Sequence, residues 1–308
     1  MKVLITGAAG MLGKNILEDS RFSKFQLLTP DRAELNLFDF GAVVSYLAKT
    51  KPDVVIHAAG RVGGIQANLA QPVNFLIENI DVGRNVILAS SQAKIKKLIN
   101  LGSSCMYPRD AENPLGEELI LSGALEPTNE GYALAKIISQ RLCAYIKKED
   151  PSFHYKTLIP SNLYGRYDKF DPSHSHLVPA IFRKLHQAKI TGQASVEIWG
   201  DGTARREFMY CEDLVDCIYK CLNPKDFEAM PDLMNVGTGQ DYSVNEYYRA
   251  VAQVVGYTGE FTHNRSKPVG MKQKLVRTTK AESWGWQSQT SLEDGLKKTY
   301  QFFKENNL

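Results

Sequence analysis

The chain has 308 residues, 43% hydrophobic and 23% charged, which suits a globular fold with a large core and excludes a disordered or fibrous chain. The formal net charge of +3 comes without a long basic run, so nothing points to nucleic acid, and no apolar stretch approaches the ~20 residues that span a bilayer. Residues 1–20 carry no apolar signal segment, and five cysteines without ligand spacing suggest neither a disulfide framework nor a metal site; a cytoplasmic protein without a metal or a membrane partner is expected.

Lys2-Val3-Leu4-Ile5-Thr6 reads as a buried strand, Gly7-Ala8-Ala9-Gly10-Met11-Leu12-Gly13 as a glycine-rich turn, and residues 14–18 as a helix start. This is the strand–turn–helix setting in which glycine turns hold a dinucleotide. Further strands are expected at 25–28, 54–57, 97–101 and 156–160, with helices at 41–49, 74–92 and 132–148. The rhythm predicts an α/β fold: a doubly wound, Rossmann-like parallel sheet over residues 1–165. Ligands of such sheets bind at the carboxyl ends of the strands, where Gly7, His57-Ala58-Ala59, Gly102-Ser103 and Pro160-Ser161-Asn162 fall. Residues 166–176 read as a polar loop. A helix at 176–188, a strand at 195–199, a turn at Gly200-Asp201-Gly202 and an amphipathic helix at 291–305 follow. Residues 166–308 are therefore expected to form a smaller mixed α/β substrate lobe, with some elements returning to the first domain. Cys217 and Cys221 share a helix face and are expected in the core.

Tyr132 and Lys136 stand four apart, so a helix places them on one face. An ammonium beside a phenol is expected to lower its proton affinity. Such a tyrosine can pass a proton to a carbonyl oxygen as a hydride reaches the carbon, with Ser103 orienting the oxygen. At the end of the second strand, Asp31 suits the ribose hydroxyls of NAD and Arg32 the 2′-phosphate of NADP.

Taken with H-A-A-G at 57–60, L-G-S-S-C-M-Y-P at 101–108, Y-A-L-A-K at 132–136, S-N-L-Y-G at 161–165 and W-G-D-G-T-A-R-R-E-F at 199–208, the chain resembles the extended short-chain dehydrogenase/reductases over nearly its full length. Within them it is most similar to the GDP-L-fucose synthase branch, through residues 61–68, Ser103-Ser104-Cys105 and 171–176. The resemblance implies NADPH-dependent reduction of a nucleotide-linked 4-keto-6-deoxy sugar with 3,5-epimerisation, in surface-polysaccharide sugar biosynthesis. A GDP-linked sugar is favoured over a dTDP-linked one, and a homodimer is implied. Ser103, Tyr132 and Lys136 would be the reductase triad, and Cys105 and His176 the pair that moves protons, with His176 placed ahead of His174. The cofactor would be held by Gly7, Gly10, Met11, Leu12, Gly13, Arg32, Asp39, Ala58, Ala59, Gly60, Lys136, Pro160, Asn162, Leu163 and His176, and the arginine favours NADPH. The substrate would meet Ser103, Ser104, Asn162, Lys184, Trp199, Arg206 and Lys274. The chain departs from the pattern at Lys272-Gln273, at Arg277 where an acid is expected, and at Arg166 where a proline is usual. These departures leave open a 4-reductase that does not epimerise, acting on another 4-keto hexose or heptose. A non-catalytic dinucleotide sensor is the remaining alternative, and such proteins usually lose the tyrosine or lysine kept here.

Overall fold

The computed structural model describes every residue except 172–174, 268–269 and 307. Strand β1 (Lys2–Thr6) is buried on both faces by Val3, Leu4 and Ile5, the signature of a parallel strand covered on each side. It is followed by α1 (Met11–Glu18), β2 (Gln26–Leu28), α2 (Phe40–Thr50), β3 (Val54–His57), α3 (Ile65–Ala70) and α4 (Pro72–Gln92). Then come β4 (Lys97–Leu101), α5 (Glu130–Glu149), β5 (His154–Pro160) and β6 (Asn162–Tyr164). The remainder is α6 (Leu177–Ile190), β7 (Ser195–Trp199), β8 (Arg205–Arg206), β9 (Phe208–Tyr210), α7 (Cys211–Cys221), α8 (Pro224–Ala229) and β10 (Leu233–Val236). Last are β11 (Tyr242–Ser243), α9 (Val244–Val255), β12 (Glu260–Asn264), β13 (Gln273–Lys274), α10 (Thr279–Ser283) and α11 (Leu292–Glu305).

Six strands form one parallel sheet in the order β10-β5-β4-β3-β1-β2. The order reverses beside β1, whose neighbours β2 and β3 lie on opposite sides, so a crevice opens at the carboxyl ends of β1 and β3. One face is covered by α1 and α7 through Ile16, Leu214 and Ile218, the other by α2, α4 and α5 through Leu47, Val86 and Cys143. The second half of the chain therefore returns to the first sheet through α7 and β10. Cys217 and Cys221 are fully buried in that first layer.

The lobe has its own core, where α6, α9 and α11 bring together Phe182, Tyr247, Val251, Tyr300 and Phe303. Helix α9 starts at a capping box, Ser243 with Glu246, and stops at left-handed Gly256. No helix among the described residues is long and apolar enough to cross a membrane.

Candidate active site

At the crevice, Gly7 has φ +75°, and a Cβ there would lie 2.8 Å from the backbone of Ala59, so the residue is restricted to glycine twice over. A Cβ on Gly13 would collide with the backbone of Ala8, which holds α1 tight against the turn. Gly10 precedes α1 and offers no side-chain cap, leaving the first N–H groups of Met11, Leu12 and Gly13 for an anion. Ala58, Ala59 and Gly60 form the opposite wall, with the Ala58 and Ala59 N–H groups donating to the Thr6 carbonyl and hydroxyl at 3.3 Å each.

Asp31 Oδ1 accepts from the N–H groups of Ala33 and Glu34 at 2.8 Å each, which commits that side chain to a turn. Arg32 is exposed and forms no ion pair among the described residues. Asp39 caps α2 through Ala42 N–H at 3.0 Å. A glycine cradle, an uncapped helix start and an uncommitted guanidinium fit a dinucleotide carrying a 2′-phosphate.

At the reacting end, Ser103 closes β4 and α5 presents Tyr132 and Lys136. Tyr132 is half-buried as a residue, and its hydroxyl sits deep beside the Ser103 side chain. The expectation that Lys136 would depress the phenol's proton affinity is overturned. Burial, and secondarily Cys105, raises Tyr132 well above the usual phenol range, opposed only by the Ser103 hydrogen bond. The reason is placement: Lys136 Nζ donates to the Leu101 carbonyl at 2.9 Å and lies 5.8 Å from the tyrosine ring centroid. Burial also brings Lys136 down to about 8. Beneath it lies His57, 2% exposed, with Nδ1 2.8 Å from Thr6 Oγ1 and pushed down to about 3 by burial and then by Lys136.

Cys105 is the partly exposed cysteine; the other four are buried. Its Sγ receives Asn129 Nδ2 at 3.1 Å and lies 3.7 Å from Lys274 Nζ. Lys274 on β13 is in register with Arg206 on β8. His176, at the start of α6, is held down to about 4 by burial, then by Lys169 and Lys274. Arg206 is lowered by burial, opposed by Glu126 and Cys105. Ser103, Cys105, Tyr132, Lys136, Arg206, Lys274 and His176 thus belong to one neighbourhood.

Ser104 is buried in the turn after Ser103. Pro160, Asn162 and Leu163 lie where β5 passes into β6, and Asn162 Nδ2 donates to the Glu207 carbonyl at 3.1 Å. Lys184 and Trp199 make their contacts farther out on the lobe. Lys184 Nζ donates to the Glu197 carbonyl, and Trp199 lies under the Lys267 ammonium at 5.4 Å.

The departures from the family pattern have structural partners. Gln273 Nε2 donates to Asp241 at 2.6 Å, Arg277 pairs with Glu118 at 2.8 Å, and Arg166 bridges Glu18 and Glu212. His174, and the Pro268-Val269 pair of the second altered stretch, lie outside the described residues. Sequence reasoning missed Asn129, placed His57 at a strand end without giving it a role, and gave none to the buried carboxylate Glu207. The Pro127-Thr128-Asn129 run just ahead of Tyr132 was the available signal for Asn129.

A sequence profile described as the NAD dependent epimerase/dehydratase family matches residues 3–237. The chain is 52% identical to a GDP-L-colitose synthase of Yersinia pseudotuberculosis, covering 98% of each, and 49% identical to a GDP-L-fucose synthase of Azorhizobium caulinodans, covering 99% of this chain and 97% of that one. Among solved structures it is similar to a GDP-mannoheptose C4 reductase from Campylobacter jejuni with NADP bound, at TM-score 0.89 and 32% identity over 98% of each chain.

Proposed function

Because the chain belongs to the NAD dependent epimerase/dehydratase family, we propose that it reduces the C4 ketone of a GDP-linked 4-keto-6-deoxy sugar with NADPH and inverts a neighbouring ring carbon. The product is a sugar of the L-fucose or L-colitose kind. The observation that carries the reading is the joint placement of the Ser103–Tyr132–Lys136 set with a partly exposed thiol, Cys105, beside it.

Gly7, Gly10, Gly13 and the α1 start hold the pyrophosphate, and Arg32 holds the 2′-phosphate. When bound there, the cofactor would supply the hydride that the carbonyl carbon receives. Tyr132, kept protonated by its burial, gives its proton to the carbonyl oxygen as negative charge develops there. Ser103 orients that oxygen and stabilises the charge. A ketone at C4 also acidifies the adjoining C–H groups, so a base and an acid on opposite faces can invert a centre. Cys105 and His176 take those roles, Cys105 as the base and His176 as the group that passes a solvent proton to the opposite face; burial holds the imidazole down to about 4, so it gives up such a proton readily. Arg206 and Lys274 supply cations for the diphosphate side of the ligand.

Incubation with GDP- and dTDP-linked 4-keto-6-deoxy sugars and NADPH, with product NMR in heavy water, tests this. A reduced GDP-sugar with deuterium at C3 or C5 is expected. Reduction without solvent deuterium leaves a plain 4-reductase, and no reduction of any keto sugar sinks the reading.

The chain forms a homodimer through α4 and α5. These helices pack side by side, and their outer faces leave Val73 and Ile77, then Leu134, Ile138 and Tyr145, exposed at one-turn and two-turn spacings. Ile138→Glu should shift the sedimentation coefficient to that of a monomer; an unchanged value would exclude this face.

A further inference from the structure

Two hydrogen-bond donors converge on one sulfur. Asn129 Nδ2 lies 3.1 Å from Cys105 Sγ, and Lys274 Nζ lies 3.7 Å from it. Sulfur is a weak acceptor, so two donors aimed at one sulfur, one of them a cation, mark it as a held and polarised atom. Asn129 is firmly held. It closes the turn Pro127–Asn129 with its N–H on the Glu126 carbonyl at 3.1 Å, and Glu126 accepts from Thr128 N–H at 3.3 Å and from its hydroxyl at 3.1 Å. The other end of the amide is unsatisfied: Asn129 Oδ1 is buried and has no partner among the described residues. An orphan oxygen of this kind is costly to keep and is completed by a ligand that brings a donor. Tyr132 and Arg206 also face the sulfur, and His176 faces Lys274 from α6.

We propose that Asn129 and Lys274 are positioning residues for Cys105, holding its sulfur as the acceptor for a proton from the carbon beside the sugar ketone, while Asn129 Oδ1 accepts from a hydroxyl of the same sugar. The proposal rests on the reading of Cys105 as the carbon-acid base. In the step, the C–H bond breaks, its proton passes to sulfur to give a thiol, and the bonding pair moves into an enolate whose oxygen faces Ser103 and Tyr132. His176 passes a proton taken from solvent to the other face of that carbon, which completes inversion, and the thiol returns its proton to solvent, so one proton is taken up and one released. Nothing is oxidised or reduced.

The first readout needs no substrate. Iodoacetamide alkylates thiolates, and the Cys105 peptide can be followed by mass spectrometry at pH 7. Asn129→Leu, similar in volume but without a donor, and Lys274→Gln should each slow alkylation by about tenfold, because the sulfur loses a donor that holds and polarises it. Asn129→Ala controls for widened access. Unchanged alkylation in variants that melt like the native protein would overturn the proposal. The second readout is solvent deuterium exchange into a GDP-linked 4-keto-6-deoxy hexose without cofactor, expected to fall in the same variants. Exchange at the native rate in Asn129→Leu and Lys274→Gln also counts against it. A native protein that exchanges no deuterium, yet shows the alkylation pattern, refutes the carbon-acid reading of Cys105 and leaves the sulfur cradle standing on its own.

Discussion

Tyr132 and Lys136 carry opposite consequences of one burial. Exclusion of water keeps the phenol protonated and makes the ammonium easier to discharge. The phenol is then an acid throughout the neutral range, and its proton matters only as charge builds on the sugar oxygen. Tyr132→Phe should lower kcat for reduction by about 10²–10⁴-fold while NADPH binding, followed by fluorescence, holds. Near-native turnover would remove the tyrosine from the chemistry. Lys136, at about 8, is mostly charged at pH 7 and loses its proton just above. The rate of reduction should therefore fall along an alkaline limb near pH 8, and in Lys136→Arg that limb should vanish from the pH profile. These two residues were legible in the sequence because four-residue spacing on a helix is a local signal. Their proton affinities were not, since they depend on how deep the hydroxyl sits and on Leu101, 35 residues earlier, taking the ammonium. The roles of Asn129 and His57 were not legible for the same reason: each acquires its meaning from a partner remote in sequence.

Among the elements, the buried strands of the first half were readable as short apolar runs, and β3, β4 and β7 stand where their patterns place them. Strand β10 gave no such signal, although it completes the sheet beside β5. Lobe and sheet meet through one carboxylate that pattern reading also passed over. Glu207, 1% exposed, lies between β8 and β9. It accepts from Thr238 N–H at 2.6 Å and Gly239 N–H at 3.0 Å just after β10, and from Val276 N–H at 2.8 Å just after β13. Burial pushes it up to about 7 against the pull of those donors. Glu207→Ala would strand all three N–H groups and should cost about 2–4 kcal/mol of stability, since each unsatisfied buried donor costs roughly 1–3 kcal/mol with partial recovery by water. Urea unfolding measures the loss. Because Lys274 is two residues before Val276 and Arg206 adjoins Glu207, the same variant should raise KM for the sugar nucleotide. A stability change below 1 kcal/mol, on the order of a surface substitution, would show that the carboxylate is not the tie between the two halves.

For the molecule as a whole, the convergence of functional segments at one edge of the sheet could be read from chain order alone, because parallel strands joined by helices must all point their carboxyl ends the same way. What order does not reveal is that the active site and the sheet share a single packed joint. His57 ends β3, contacts Thr6 of β1, and stands close to Gly83 of α4, where an added Cβ would lie 3.9 Å from Nε2 and would strike Ser139 of α5. Lys136 of the same α5 contributes to keeping this imidazole neutral. The folded protein therefore refuses a proton that the unfolded chain accepts. With the folded value at about 3, below the ordinary 6.5, the contribution to stability is present above pH 6.5 and is lost as pH falls from there toward 3. At pH 5 the unfolded chain already holds that proton, so about 2 kcal/mol should be gone relative to pH 7, at roughly 1.4 kcal/mol per unit. His176, held down to about 4, acts in the same direction. Urea midpoints at pH 7 and pH 5 give the test, with His57→Gln as the comparison. The native protein should lose stability over this interval and the variant should lose markedly less. If the two fall in parallel, the acid sensitivity arises elsewhere, and the joint between sheet and site does not depend on the charge state of His57.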